Sequence, residues 1–302
     1  MEPRILAFAG HKQAGKSTCC NFLHGYQLRA NGIINSFDIL TDGSLVIDTI
    51  MIDSDGNQKT GKGALDTKRT DIDFAEWAAY SMWPYVKQYS FASTLKEIAI
   101  GLFGLKQENI NGTNIQKNQN THFNWKDMPG VITSATLAKK KDIKKLIDDG
   151  TLIYHKPGKM THREFLQYFG TEICRKIYED VWRARLIEDI TREEPLLALI
   201  DDCRFPDEVE TIQNSGGKVV NLTRSNFKDN HASESSLEGF TEFDAVIDNE
   251  KLSIHETNIR IIQLLDEWGW LGKDVKPEPL TPQNPTNESE PTLVGGIHTI
   301  KE

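Results

Sequence analysis

Near the start of the chain, Gly10-His11-Lys12-Gln13-Ala14-Gly15-Lys16-Ser17 fits the spacing G-x-x-x-x-G-K-[ST] at every fixed position. Each fixed residue has a chemical reason to be there. Glycines let the backbone curl so that successive N–H groups converge on one phosphate chain. A helix beginning near Gly15 adds the positive end of its dipole. The Lys16 ammonium can reach β- and γ-phosphates, and the Ser17 hydroxyl can hold Mg²⁺. Gly10, Lys12, Ala14, Gly15, Lys16, Ser17 and Thr18 are therefore candidate contacts for a nucleoside triphosphate, with ATP and Mg²⁺ as the expected cofactors. The competing explanation is an ordinary strand, turn and helix.

Further residue groups could serve an acceptor. In THREFLQYFGTEICRKIYEDVW, Arg163 and Gln167 are four residues apart and share a helical face, with Arg175 roughly in line beyond them. Two arginines and an amide on one face could hold a phosphate and a base edge; a solvated helix with its own ion pairs explains the spacing equally well. In Asp201-Asp202-Cys203-Arg204-Phe205-Pro206-Asp207-Glu208, acids and an arginine follow an apolar run directly. A carboxylate there can orient Mg²⁺ or its water ligands, or it can cap the next helix, where Pro206 suits the first position. Arg224, His231 and Glu234 lie on a polar stretch that could close over a transferring phosphoryl group or be a plain surface loop. Asp248-Asn249 either borders a base pocket or forms a turn.

These residues need a scaffold. Arg4–Ala9 reads as a buried strand and TCCNFLHGYQLRA as the helix after the loop. Two β-branched runs with Asp42-Gly43 and Asp55-Gly56 between and after them predict a β-hairpin over Ser36–Asn57. The following QKTGKGALDTKRTD reads as an exposed, mobile loop, and 33–70 as an insertion. Asp71–Trp83 is expected to be helical, Tyr85–Phe91 a strand, and Ser93–Phe103 a helix capped by Ser93. Residues 106–130 read as a long polar loop, and the Lys139–Lys145 run as a solvated helical face. Thr161 with Glu164 makes a capping box, and a second helix is expected from Asp180. Leu196–Ile200 predicts a central parallel strand, Phe205–Asn214 a helix, Lys218–Leu222 a strand, Asp244–Asp248 a last strand and Ser253–Trp268 a last helix. That order implies a three-layer α/β domain with a mostly parallel sheet, whose ligands bind at the carboxyl ends of the strands. The domain is expected over 1–271, with insertions at 33–70 and 106–160 and a lid at 224–240. Past Gly272 the Pro-rich composition predicts a disordered tail over 272–302.

Composition narrows the partners. The 302 residues carry a formal net charge of −9 with 26% charged residues, which disfavours a general nucleic-acid backbone binder. Cys19, Cys20, Cys174 and Cys203 form no C-x-x-C pair, so neither a zinc site nor a disulfide framework is indicated. No stretch reaches the ~20 apolar residues of a membrane span, and the first apolar run is interrupted by the phosphate loop, unlike a signal peptide. A cytoplasmic protein acting on small molecules is the expectation; a homodimer is compatible with it.

GHKQAGKST, SFASTLKE, GTNIQKNQNTHFNWKDMPG, THREFLQYFGTEICRKIYEDVW, DDCRFPDEVETI and HASESSL, taken together and in order, resemble the deoxynucleoside monophosphate kinases of bacteriophages. The resemblance spans most of residues 1–268, apart from the 33–70 insertion. It implies a P-loop kinase fold with helical substrate-binding and lid segments, and ATP-dependent phosphorylation of a deoxynucleoside monophosphate. It implies Lys16 and Ser17 as phosphate and Mg²⁺ residues and Arg163, Gln167 and Arg175 as monophosphate contacts. Asp202, Arg204 and Glu208 match a D-x-R-F-x-x-E stretch, with Asp202 also on the metal side; Arg224 with His231-Ala-Ser-Glu234 match the lid. Lys16, Arg204 and Arg224 are the implied catalytic cations. Ser93-Thr94-Leu95-Lys96 departs from an expected Asp-Pro-Leu-Lys-like run: Lys96 remains as a substrate contact, but no carboxylate precedes it. A P-loop kinase of another small phosphorylated acceptor, such as a dephospho-coenzyme-A-like one, and a non-kinase P-loop ATPase are the alternatives.

Overall fold

The computed structural model describes residues 3–52, 58–225 and 236–271. The chain forms two compact units, residues 1–91 with 186–302 and residues 92–185. The second unit begins earlier and ends later than the 106–160 insertion expected from sequence.

The first unit holds the phosphate loop. Its elements, in chain order, are β1 (Arg4–Gly10), α1 (Lys16–Ala30), β2 (Phe37–Ile39), β3 (Leu45–Ile52), β4 (Gln58–Ala64), α2 (Ile72–Ser81), β5 (Val86–Tyr89), α3 (Val181–Glu193, entering from the second unit), β6 (Leu197–Cys203), α4 (Pro206–Asn214), β7 (Lys218–Leu222), β8 (Ala245–Ile247) and α5 (Ile254–Glu267). A five-stranded sheet runs β8-β7-β1-β6-β5, with every pairing parallel. β1 is buried on both faces. Leu6 and Phe8 pack with α1 and α5 on one side, while Ile5, Ala7 and Ala9 pack with α3 and α4 on the other. This is the three-layer α/β architecture with a mostly parallel sheet, and it explains why β1 reads as a continuous apolar run. β6 and β7, consecutive in sequence, are separated by β1. The carboxyl ends of β1 and both its neighbours therefore converge, and there the chain places the phosphate loop, Asp201 and Arg224.

The insertion is a three-stranded antiparallel sheet, β2-β3-β4, rather than a hairpin followed by a loose loop. QKTGKGA is strand because it pairs with the whole length of β3, from Gln58 opposite Ile52 to Ala64 opposite Val46. The β2–β3 turn is set by Asp42, whose carboxylate accepts from Ser44 N at 2.9 Å, and by Gly43 at φ +87°. Phe37 seats the sheet on α1: its ring lies 5.8 Å from that of Phe22, and a Cβ at Gly25 would sit 2.3 Å from it.

The second unit is built on short pieces around an aromatic core. Residues 106–130 are not one long loop: they hold helices Gln107–Asn111 and Asn114–Lys117 and strand Asn120–Asn124, which pairs with Lys159–Thr161. Thr121 and Trp125 are buried, and Phe103, Phe123, Phe165 and Phe169 meet in stacked and edge contacts. The lysine run falls on helix Lys141–Asp148, where no residue is buried. Helix Ser93–Gly101 starts one residue earlier than a Ser93 cap requires, with Ala92 at the cap. Among the described residues no helix is long and apolar enough to cross a membrane. The expected tail, 272–302, lies outside the described residues.

Gly25→Ala is expected to lower stability by about 1–3 kcal/mol, because the new methyl must displace the Phe37 ring from a packed seat. A thermal melt within error of the parent protein would show that the insertion does not rest tightly on α1.

Candidate functional site

The phosphate loop leaves β1 at Gly10, which has φ +129°. A Cβ there would sit 2.4 Å from the Leu222 carbonyl oxygen of β7, so only glycine lets the two strands close at this point. Gln13 follows at φ +63° and Gly15 at φ +102°. Gly15 precedes α1 and offers no side chain to cap it, and the first turn holds no acidic residue. A helix start of this kind suits an anion. Lys16 is 9% exposed and donates to the carbonyls of Gly10 at 2.6 Å and His11 at 2.8 Å, so its ammonium is folded over the loop it serves. Lys12 and Ser17 are exposed, Thr18 is half-buried, and Ala14 is buried behind the loop.

Ser17 Oγ donates to Asp201 Oδ2 at 2.7 Å, and Lys68 Nζ donates to the same oxygen at 2.8 Å. Burial alone would raise the Asp201 pKa, but the Lys68 charge and hydrogen bonds from Lys68, Ser17 and Gln88 together hold it below the ordinary value. Asp201 is thus ionised at neutral pH. Asp202 faces the other way: Ser90 Oγ donates to it at 2.6 Å and Phe91 N at 3.3 Å, and burial raises its pKa. The split follows from the alternation of side chains along β6, which sends neighbouring residues to opposite faces of the sheet: Leu197 and Leu199 pack on the α1 side and Ala198 and Ile200 on the other, so Asp201 falls on the first face and Asp202 on the second. Of the two acids it is Asp201, and not the Asp202 expected on the metal side, that lies against Ser17. Ser17 and ionised Asp201 are hard oxygen donors that fit Mg²⁺, and among the described residues no cluster of three His, Cys, Asp or Glu offers a softer site.

Glu208 was expected to contact substrate. It is 3% exposed, and its Oε2 accepts from the backbone N–H of Arg204 at 2.8 Å and of Phe205 at 3.2 Å, closing the start of α4. Burial pushes its pKa up to about 8. Arg204 follows β6 directly, and its charge opposes the rise at Asp202.

Beside the first turn of α1 a cleft is lined by Gly15, Thr18, Asp42, Gly43, Arg224, Asn249, Thr257 and Asn258. Asn249 borders it as expected but is fully committed. Its Nδ2 donates to Ala14 O at 2.8 Å, and its Oδ1 accepts from Arg224 N at 2.9 Å. The Arg224 guanidinium donates to the carbonyl of Asn249 through Nε at 3.1 Å and Nη2 at 2.8 Å, and to that of Leu252 at 2.5 Å. It lines the cleft in this hydrogen-bonded position. His231 and Glu234, the rest of the expected lid, lie outside the described residues.

In the second unit, Thr161 and Glu164 form the capping box of helix His162–Tyr168: Glu164 N donates to Thr161 Oγ1 at 3.2 Å and Thr161 N to Glu164 Oε2 at 2.7 Å. Arg163 and Gln167 share this helix, and Arg163 Nη2 donates to Asn114 Oδ1 at 2.8 Å. Phe169–Cys174 is a π-helical turn, after which Arg175 begins a short α-turn. An uninterrupted α-helix would carry Arg175 about 80° past Gln167; the wider π turn takes back part of that rotation. Lys96 is half-buried on helix Ser93–Gly101.

Sequence reasoning did not single out Lys68, Asn258 or the contact of Asp201 with Ser17. Lys68 is 133 residues from its partner, and no local pattern joins them. Asn258 did leave a signal: it and Thr257 are polar residues on the buried stripe of α5, beside Ile261, Ile262 and Leu265.

A sequence model of a family described as deoxynucleotide monophosphate kinase matches residues 79–259. The deoxynucleoside-5′-monophosphate kinase of Escherichia phage T5 is 31% identical over 110 residues, covering 31% of this chain and 44% of the relative. A protein of Acanthamoeba polyphaga mimivirus, provisionally named deoxynucleotide monophosphate kinase, is 29% identical over 120 residues, covering 35% of this chain and 62% of the relative. The chain thus spans less than two thirds of either relative's length in these matches.

Glu208 makes stability depend on pH with a definite sign. Below pH 4.5 both folded and unfolded chains hold its proton; between 4.5 and about 8 only the folded chain does. Its contribution to stability therefore declines as pH rises through that window and levels off above it. Glu208→Gln is expected to flatten the fall in Tm between those limits, and an unchanged slope would assign the pH dependence to another group.

Proposed function

Because the chain belongs to the deoxynucleotide monophosphate kinase family, we propose that it transfers the γ-phosphoryl group of ATP to a deoxynucleoside 5′-monophosphate, yielding the diphosphate and ADP. The observation that carries this reading is the junction of Lys16, Ser17 and an ionised Asp201 at the end of β1 in a chain of this family.

Phosphoryl transfer asks the protein for positioning and charge neutralisation more than for covalent help. The backbone amides at the start of α1 would hold the donor's phosphates, and Lys16 would swing from the Gly10 and His11 carbonyls onto the β- and γ-oxygens. Mg²⁺, when bound by Ser17 and Asp201, would neutralise charge developing on those oxygens. Lys68 shares an oxygen of Asp201 with Ser17, so metal entry would release its ammonium from that carboxylate. Arg163, Gln167 and Arg175, with Lys96, are the proposed contacts for the acceptor's phosphate and base, and Arg204 adds positive charge near the donor. Asp202 and Glu208 are assigned to structural work: each is held by backbone or hydroxyl donors and driven by burial toward its protonated form.

The test is ADP release from Mg-ATP by the purified protein, alone and with each deoxy- and ribonucleoside monophosphate. Release that requires a deoxynucleotide is expected; equal release without acceptor would make the protein an ATPase. Lys16→Ala and Asp201→Asn should each lower acceptor-dependent release on the order of 10²-fold or more with the fold intact. Asp202→Asn should cost far less activity than Asp201→Asn, and the reverse ranking would return the metal role to Asp202.

A further inference from the structure

The cleft beside α1 contains an unanswered polar group. Asn258 lines it and is 4% exposed, and its Oδ1 is shielded from water with no hydrogen-bond partner. A buried amide oxygen left in this state is costly, and a donor arriving in the cleft recovers that cost. The polar groups that surround it, on Asn249, Arg224 and Thr257, are already engaged. Both ends of the Asn249 amide are used, the Arg224 guanidinium is bound to two carbonyls, and Thr257 Oγ1 donates to Ser253 O at 2.9 Å. The cleft also begins at Gly15 and Thr18, so a nucleotide whose phosphates rest on the loop would direct its nucleoside toward it.

We propose that Asn258 determines the base of the phosphate donor, its Oδ1 accepting from an exocyclic amine and so selecting adenine. This rests on the reading of the phosphate loop as the donor site. Adenine presents an N–H donor at its 6-position. Hypoxanthine and guanine present a carbonyl oxygen there, which would set acceptor against acceptor and leave Asn258 unsatisfied. A site built around a hydrogen bond rejects analogues lacking the matching group more strongly than an apolar pocket does. The planar Arg224 guanidinium, locked by its carbonyl partners, supplies a flat wall on which any base can stack, so it adds affinity without choosing between bases.

The test is calorimetric binding of ADP and IDP, which differ at the 6-position, amine against carbonyl, and at the adjacent N1, bare in adenine and N–H in hypoxanthine, with no acceptor present. The parent protein should bind ADP at least about tenfold more tightly than IDP. Asn258→Leu, close in size but unable to accept, should lose that preference chiefly by weakening ADP, while Asn258→Asp, which keeps an oxygen acceptor, should retain it. Equal binding of ADP and IDP by the parent protein overturns the proposal whatever the variants do, as does a preference that survives Asn258→Leu. Because no monophosphate is present, a failure of the kinase reading leaves this ratio untouched and is recognised separately, by ADP release that ignores the acceptor.

Discussion

One carboxylate oxygen organises the first unit. Asp201 Oδ2 accepts from Ser17, at the start of the helix that follows the phosphate loop, and from Lys68, at the end of the inserted sheet. The central strand, the loop helix and the insertion are thereby held at one atom. The arrangement works only if the carboxylate stays charged while largely buried, and burial acts against that. Lys68, Ser17 and Gln88 supply the compensation. Asp202, the next residue, has Ser90 and a backbone amide but no lysine, and its pKa moves in the opposite direction. Two adjacent acids thus acquire different chemistry because alternation along β6 turns them toward opposite faces of the sheet and different neighbours.

Local patterns made much of this legible. The phosphate loop, the apolar run of β1 and the Thr161–Glu164 box are short-range features, and each was readable from residue types at fixed spacing. The illegible parts depend on partners far away in sequence. QKTGKGA has the composition of a loop and becomes strand only because β3 offers it a continuous ladder. The stretch 106–130 looks polar throughout, yet Thr121 and Trp125 are buried in the core that it forms with Met160, Phe165 and Tyr168. Which of Asp201 and Asp202 meets Ser17 turned on which face of β6 packs against α1, and that is set by the packing of the whole sheet.

The insertion has a double attachment to the phosphate loop. Its β2–β3 turn closes against Thr18, where a Cβ at Gly43 would come within 2.2 Å of the hydroxyl, and Asn21 donates to the Gly43 carbonyl at 2.9 Å. Its far end delivers Lys68 to Asp201. A segment that looks like an ornament on the sheet therefore meets α1 with its turn, which frames the cleft, and Asp201 of β6 with its last lysine.

The π turn at Phe169–Cys174 bears on how this helix tolerates changes in length. In an unbroken α-helix the residue seven positions beyond Gln167 would return to its face to within about 20°, whereas the eighth would overshoot by about 80°. Arg175 is the eighth, and the wide turn absorbs the surplus. The segment thus behaves as a slack link: removing one residue from it would restore α-helical winding and still present the arginine on nearly the same side. A single-residue deletion, ordinarily ruinous inside a helix, can thus be accommodated here without rotating the downstream end far from Gln167.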